Sequence, residues 1–169
     1  FSVIRFKPKD FRPQRPDGKW TLEGVARVPY RLPQILAGKK DSKDILILEG
    51  EKDCDNAAKI GLTATTFPGG TGKWREEYSK WFQDAKVICL PDNDDAGRKG
   101  MSIIASEISM VAESVRLLEL PDLPEKGDFS DWIKIEGNDI KKFNSLITKS
   151  SSTWTSELVE EDDNGQLLE

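Results

Sequence analysis

The sequence predicts an α/β fold: a mostly parallel four-stranded sheet with helices on both faces, preceded by a small β extension. Three observations carry this. The runs Ile45-Leu46-Ile47-Leu48 and Val87-Ile88-Cys89-Leu90 are continuously apolar over strand length, as strands covered on both faces are. Helix-compatible stretches separate them from each other and from shorter β-branched pieces, and strands joined through helices pair in parallel. Both runs end on acids, Glu49 and Asp92, and open parallel sheets place their sites at the carboxyl ends of their strands.

Residues 1–32 read as short β-like pieces broken by turns. Arg12-Pro13-Gln14-Arg15-Pro16-Asp17-Gly18 is expected to turn, with Lys19-Trp20-Thr21-Leu22 as the second arm of a hairpin. Pro33 to Ala37 reads as a short helix with Pro in its first turn, and Gly38 to Asp44 as a polar linker. Asp53 to Ile60 makes a helix closed by Gly61. Thr63 to Phe67 is a short strand, 68–73 a glycine-rich loop and Trp74 to Phe82 a helix. Lys86 to Leu90 is the third strand of the sheet, Ala96 to Ala112 a longer helix and Ser114 to Leu120 the fourth strand. Phe129 to Ile135 and Asp139 to Thr148 are closing helices. The chain thus divides into a basic extension (1–43), an α/β domain (44–149) and an acidic tail (150–169) that composition marks as disordered.

Composition narrows the chemistry. With 33% charged residues, and no apolar run near the roughly 18–20 residues of a membrane span, the chain is expected to be soluble and to lack a membrane partner. The first ten residues already carry Arg5, Lys7, Lys9 and Asp10, which is no signal peptide, and the start at Phe1 suggests a segment of a longer protein. Cys54 and Cys89 have no zinc spacing, and a reducing cytoplasm fits them better than a disulfide framework. The absence of histidine excludes His-ligated zinc, Ser-His triads and His general bases. Chemistry must run on carboxylates, lysines, arginines and metals. Residues 1–44 hold eleven Lys/Arg against five Asp/Glu, whereas residues 150–169 hold six acids and no base. A basic arm beside an acidic centre suits a protein that grips phosphates and concentrates cations.

The acids differ in weight. Asp53 stands in the first turn of a helix, where the dipole alone favours an acid. Asp94 or Asp95 has an ordinary role as a helix cap, and Glu51 and Asp55 read as solvated charges. Glu49 and Asp92 both follow directly on apolar strands and so meet at one sheet edge. Like charges brought together raise each other's pKa unless a cation neutralises them. Oxygen clusters of this type bind magnesium, which takes one or two carboxylates and keeps waters for a phosphate.

Gly69-Gly70-Thr71-Gly72-Lys73 is not a Walker motif, because Phe67 stands where a glycine is required and Trp74 where Ser or Thr is required. It still links a strand to a helix, so it is either a phosphate cradle assisted by Lys73 or a flexible turn. Trp74 reads as a packing residue. In the basic arm, Arg5, Lys7, Arg12, Arg15, Lys19, Arg27 and Arg31 interleave with Phe6, Phe11, Trp20 and Tyr30. That pattern fits a single-strand grip, and equally a small hairpin with ordinary surface charges.

Glu49-Gly50-Glu51-Lys52-Asp53, followed by Asp92-Asn93-Asp94, resembles the TOPRIM domain, the Rossmann-like glutamate plus Asp-x-Asp module shared by primases, topoisomerases and some nucleases. The likeness is greatest to bacterial and phage DNA primases, whose glutamate is followed by a glycine and then an aspartate, as in Gly50 and Asp53. They also carry a glycine after Asp-x-Asp, matched by Gly97. Leu123-Pro124-Glu125-Lys126-Gly127-Asp128 resembles their later acidic loop. The usual Asp-Pro-Asp is here Asp128-Phe129-Ser130-Asp131, which displaces the second acid and gives Asp131 less weight. Val28-Pro29-Tyr30-Arg31-Leu32-Pro33 resembles the stretch before this domain in phage and prophage primase–helicases, so the likeness covers residues 20–148.

The resemblance implies template-directed primer synthesis for DNA replication, with Mg2+ or Mn2+ and a TOPRIM catalytic domain over 44–149. Glu49 would be an acid/base residue or ligand, Asp92 and Asp94 metal ligands, and Asp53 and Asp128 helpers of a second ion. Implied partners are a single-stranded DNA template, nucleoside triphosphates and a helicase domain or protein. Lys52, Lys73 and Arg98, with Arg12, Arg15 and Arg31, are the candidate nucleic-acid and nucleotide contacts. Two alternatives remain: a TOPRIM nuclease, and a non-catalytic module that binds nucleic acid or a replisome partner. Because primases usually carry a zinc-binding domain and this chain has no zinc motif, it is expected to be a fragment of a larger phage, prophage or plasmid primase. Whether such a fragment primes alone stays open.

Overall fold

The computed structural model describes residues 2–8 and 10–149, so the acidic tail expected over 150–169 lies outside the described residues. In chain order the elements are β1 (Ser2–Phe6), β2 (Asp10–Gln14), α1 (Leu32–Lys40), β3 (Asp44–Ile47), α2 (Glu51–Lys59), β4 (Thr63–Thr65), β5 (Lys86–Cys89), α3 (Asp95–Ser109), β6 (Ser114–Leu117), α4 (Phe129–Trp132) and α5 (Ile140–Lys149). β1 and β2 form an antiparallel pair, and the other strands form one four-stranded sheet in the order β4-β3-β5-β6. Every pairing in that sheet is parallel, with Ile45 opposite Val87 and Ile47 opposite Cys89.

The apolar runs are continuous because both faces of the sheet are covered. Ile45, Ile47, Val87 and Cys89 point to one side, where they meet Ile35 of α1 and Met101, Ile104 and Ile108 of α3. Leu46, Leu48, Ile88 and Leu90 point to the other, against Cys54 and Ala57 of α2, Phe129 and Trp132 of α4 and Phe143 of α5. The rings of Phe129, Trp132 and Phe143 lie 5.8–6.2 Å apart. They lock the closing helices to the sheet.

Several expectations need correction. Lys19 to Leu22 is not a strand. The hairpin lies earlier, between β1 and β2, where Val3, Ile4 and Phe6 favour an extended chain. Pro13 is tolerated because each strand of a two-stranded sheet is an edge. The turn at Arg15–Gly18 does form, with the Gly18 N–H on the Arg15 carbonyl at 2.9 Å, and Trp20 lies 5.6 Å from the Phe6 ring.

The linker expected from Gly38 is helical as far as Lys40. Gly38 is buried there, and a Cβ at this position would stand 3.0 Å from both Ile45 and Thr63, so the glycine lets α1 press onto the sheet. The helix expected over Trp74–Phe82 is instead two 3-10 segments, Thr71–Lys73 and Glu76–Phe82. Packing overrides propensity here. The rings of Trp74, Tyr78 and Phe82 all close on Phe67, at 4.5, 5.1 and 6.1 Å.

Trp132 is fully buried between the sheet and α5. Trp132→Ala is expected to cost about 3–5 kcal/mol of stability, read from urea unfolding; a loss under about 1 kcal/mol would show that α4 and α5 are not part of the cooperative core.

Candidate metal centre

β3 and β5 are neighbours, but the chain leaves them in opposite directions. β3 leads through α2 to β4 on one edge, and β5 leads through α3 to β6 on the other. The gap between their carboxyl ends is the switch point at which open α/β sheets bind ligands. Glu49 and Asp92 follow these strands into that gap. The Asp92 backbone N–H donates to Glu49 Oε1 at 3.2 Å, so the side chain of one acid is held by the backbone of the other.

The approach is close enough to exclude side chains. At Gly97, in the first turns of α3, a Cβ would meet Glu49 Oε1 at 2.6 Å and the Asp92 carbonyl oxygen at 2.8 Å. Asp94 caps the same helix, with Oδ1 accepting the Gly97 N–H at 2.7 Å. Its ordinary role as a cap and its proximity to Glu49 are therefore compatible. Asp94 is one of the charges that raise the Glu49 pKa.

Asp53 is buried at 6% exposure, and its Oδ1 accepts both the backbone N–H (3.1 Å) and the hydroxyl of Ser130. Ser130 in turn accepts from Asn56 Nδ2 at 2.8 Å, which pins the start of α4 to α2. Asp128 caps α4, its Oδ1 accepting the Asp131 N–H at 2.7 Å, and its Oδ2 takes Lys52 Nζ at 2.6 Å. Asp131 completes the capping box and pairs with Lys134 at 2.8 Å.

Repulsion and burial show in the proton affinities. Asp92 is pushed up to about 7, first by burial and then by the charges of Glu49, Asp53, Asp128 and Asp94. Glu49 is raised by burial, against the lowering effect of the Asp92 N–H; Asp94 and Asp53 raise it further and the Thr71 hydroxyl lowers it. Asp53 is raised by burial and by Asp128, while Ser130 and Lys52 favour its charged form.

Among the described residues no three His, Cys, Asp or Glu side chains form a ready-made metal cage. Magnesium does not require one, since it binds through one or two carboxylates and keeps waters and phosphate oxygens as its other ligands. The donor set is all carboxylate oxygen, and its crowding is what a hard divalent cation would relieve. The residues fit Mg2+ or Mn2+.

The candidate cations fall into different places. Lys52 is on Asp128. Arg98 donates to Asn93 Oδ1 at 3.1 Å and Asp95 Oδ1 at 2.7 Å, and it shares a shallow cleft with Asp92, Glu119 and Leu123. Lys73 is exposed, its stem folded over Gly69. Arg12 lies on the hairpin, 5.1 Å from the Phe6 ring centroid, and Arg15 donates to the Glu23 carbonyl at 2.7 Å. Arg31 pairs with Asp55 at 2.9 Å, and Tyr30 donates to the same carboxylate, so Asp55, its side chain still 45% exposed, also tethers the start of α1.

Three positioning residues have no signal in sequence. Asn93, the middle residue of Asp-x-Asp, donates to the carbonyls of Leu123 and Pro124 at 2.9 and 3.0 Å, which ties the loop before Asp128 to Asp92. Ser130 and Thr71 orient Asp53 and Glu49. The phosphate-cradle spacing flagged the glycine loop, but not Thr71 within it.

Because the folded pKa of Asp92 lies above the unfolded value of about 3.9, its contribution to stability is full below that value and is lost as the pH rises through about 7. Asp92→Asn keeps the shape without the charge. In chelator it is expected to raise Tm clearly at pH 8, with the gain shrinking toward pH 5; an equal shift at both would show that Asp92 bears no such penalty.

No family model matches the chain, and no curated protein matches it either. Solved structures do. A DNA primase domain from Pseudomonas aeruginosa superposes with a TM-score of 0.63 at 24% identity, over 88% of this chain and 44% of that one. The zinc-binding and RNA polymerase domains of the Aquifex aeolicus primase give 0.66 at 22% identity, over 92% of this chain and 37% of that one. A primase catalytic domain bound to single-stranded DNA gives 0.61 at 20% identity, over 85% and 44%. The chain thus spans less than half the length of these relatives. At such identities the likeness establishes the fold, and the chain folds as the TOPRIM-containing catalytic domains of DNA primases do.

Proposed function

We propose that the chain is the metal-dependent nucleotidyl-transfer unit of a DNA primase, a piece of a larger enzyme that makes primers on single-stranded DNA from nucleoside triphosphates. One observation carries the reading: Glu49 and Asp92 are held together at the sheet's switch point, half-buried, with Asp92 pushed up to about 7 by burial and then by the charges of its neighbours. A site that stores repulsion between carboxylates is completed by a divalent cation. The fold-level likeness to primase domains, one of them bound to single-stranded DNA, points to the substrate class.

Asp92 and Asp94 would hold the ion together with Glu49, with Asp53 and Asp128 beside them. When bound, Mg2+ or Mn2+ supplies activation of an attacking hydroxyl and neutralises charge at the leaving oxygen. The remaining work belongs to the protein. Glu49, with its raised pKa and its fixed place on the Asp92 N–H, is suited to hold or accept a proton at Oε2. Arg98 lines the same cleft as Asp92 and would meet a triphosphate there. Arg12 on the N-terminal hairpin and Trp20, which packs beside it on Phe6 and is 51% exposed, would form a stacking and phosphate-gripping surface for a template strand. A helicase domain or protein as partner, a phage or plasmid origin and a cytoplasmic setting belong to the same reading. Among the described residues no helix is long and apolar enough to cross a membrane.

The test is primer synthesis on single-stranded DNA by the full-length protein. Glu49→Gln and Asp92→Asn are each expected to lower it by about a hundredfold or more while the circular dichroism spectrum is retained. Undiminished synthesis in both variants would overturn the reading, and magnesium-dependent DNA cleavage without nucleotides would reassign the same acids to hydrolysis.

A further inference from the structure

We propose that Lys52 is a tethered counter-ion that holds the place of a second divalent cation at Asp128 and must leave before that cation binds. The inference rests on the metal-dependent reading above and adds a residue that controls how many ions the site takes.

The geometry leaves little choice. Asp128 has two carboxylate oxygens, and Oδ1 is committed to the Asp131 N–H at 2.7 Å as the cap of α4. Oδ2 is the oxygen open to a ligand, and Lys52 Nζ occupies it at 2.6 Å. Asp131 offers no substitute, because its Oδ2 accepts the Asp128 N–H and its Oδ1 takes Lys134. An ammonium and a divalent cation compete for that oxygen, since like charges a few ångströms apart repel strongly outside bulk water.

Asp128 also belongs to the field of the main cluster. Its charge is among those that raise both Asp92 and Asp53. A positive charge at Asp128 therefore stabilises the whole cluster, and Lys52, reaching across from the first turn of α2, supplies it without an ion.

The clamp is built to release. The Lys52 side chain is 62% exposed, and exposed ion pairs are worth no more than about 1 kcal/mol. A polyphosphate arriving at the site gives the ammonium a competing anion. Its departure frees Oδ2, so arrival of a nucleotide and loading of the second ion become one event. In the resting protein the same contact lowers the site's affinity for cations that have no substrate to act on.

The experiment is calorimetric titration of the 169-residue chain with Mn2+ in the absence of nucleotide. Wild type is expected to take one ion. Lys52→Met, which keeps side-chain length without charge, is expected to take a second, with about fivefold higher affinity than wild type shows for it, the factor to which about 1 kcal/mol corresponds. Lys52→Arg should behave as wild type, and Asp128→Asn added to Lys52→Met should abolish the gain. A wild type that binds one ion and a Lys52→Met variant that titrates identically would overturn this inference alone. Absence of Mn2+ binding in both proteins would overturn the metal reading with it.

Discussion

Carboxylates at the mouth of one sheet repel each other, and burial strengthens the repulsion. Much of this structure serves to hold Glu49 and Asp92 together in spite of it. The force that does so is not local to the site. It comes from the two apolar layers that clamp β3 and β5 side by side, which leaves the residues after those strands nowhere else to go. Gly97 sharpens the approach by leaving out a side chain, and the Asp92 N–H gives the Glu49 carboxylate a partner. The cluster is thus prepaid by the core and left in a state that a cation would stabilise.

A second layer of polar contacts fixes the later acids. Asn93 ties the loop before Asp128 to the Asp-x-Asp turn, so acids distant in the chain share one field. The chain Asn56–Ser130–Asp53 does the same between α2 and α4, and because Ser130 donates both of its hydrogens to Asp53, it favours the ionised form there. Burial raises the proton affinity of both Asp53 and Asp92, and at Asp53 the Ser130 donors oppose that rise. Unequal proton affinities among neighbouring carboxylates are a usual property of sites that bind ions and move protons.

Legibility in the sequence follows the range of the interaction. Glu49 and Asp92 were readable because each ends a continuous apolar run, and the parallel sheet is a consequence of runs separated by helices. Gly97 and Asp128 were reached only through resemblance, and the structure supplies physical reasons for both: a close approach and a helix cap. Lys19 to Leu22 and the helix expected at Trp74 were misread, since there rings choose their partners across the fold. Trp20 lies against Phe6, and Trp74, Tyr78 and Phe82 gather on Phe67. The ties of Asp55 to Tyr30 and Arg31 are not legible, because nothing nearby in sequence announces them.

From the order of residues alone came the sheet, its helices and the acids at its carboxyl edge, because hydrophobic periodicity and strand ends are short-range properties of a chain. Which acid is driven toward neutrality, which oxygen Lys52 occupies and which residues hold the loops in register came only from the folded molecule. Those outcomes depend on burial and on distances of a few ångströms between residues separated by as many as 77 positions in the chain, and neither is encoded in any local stretch.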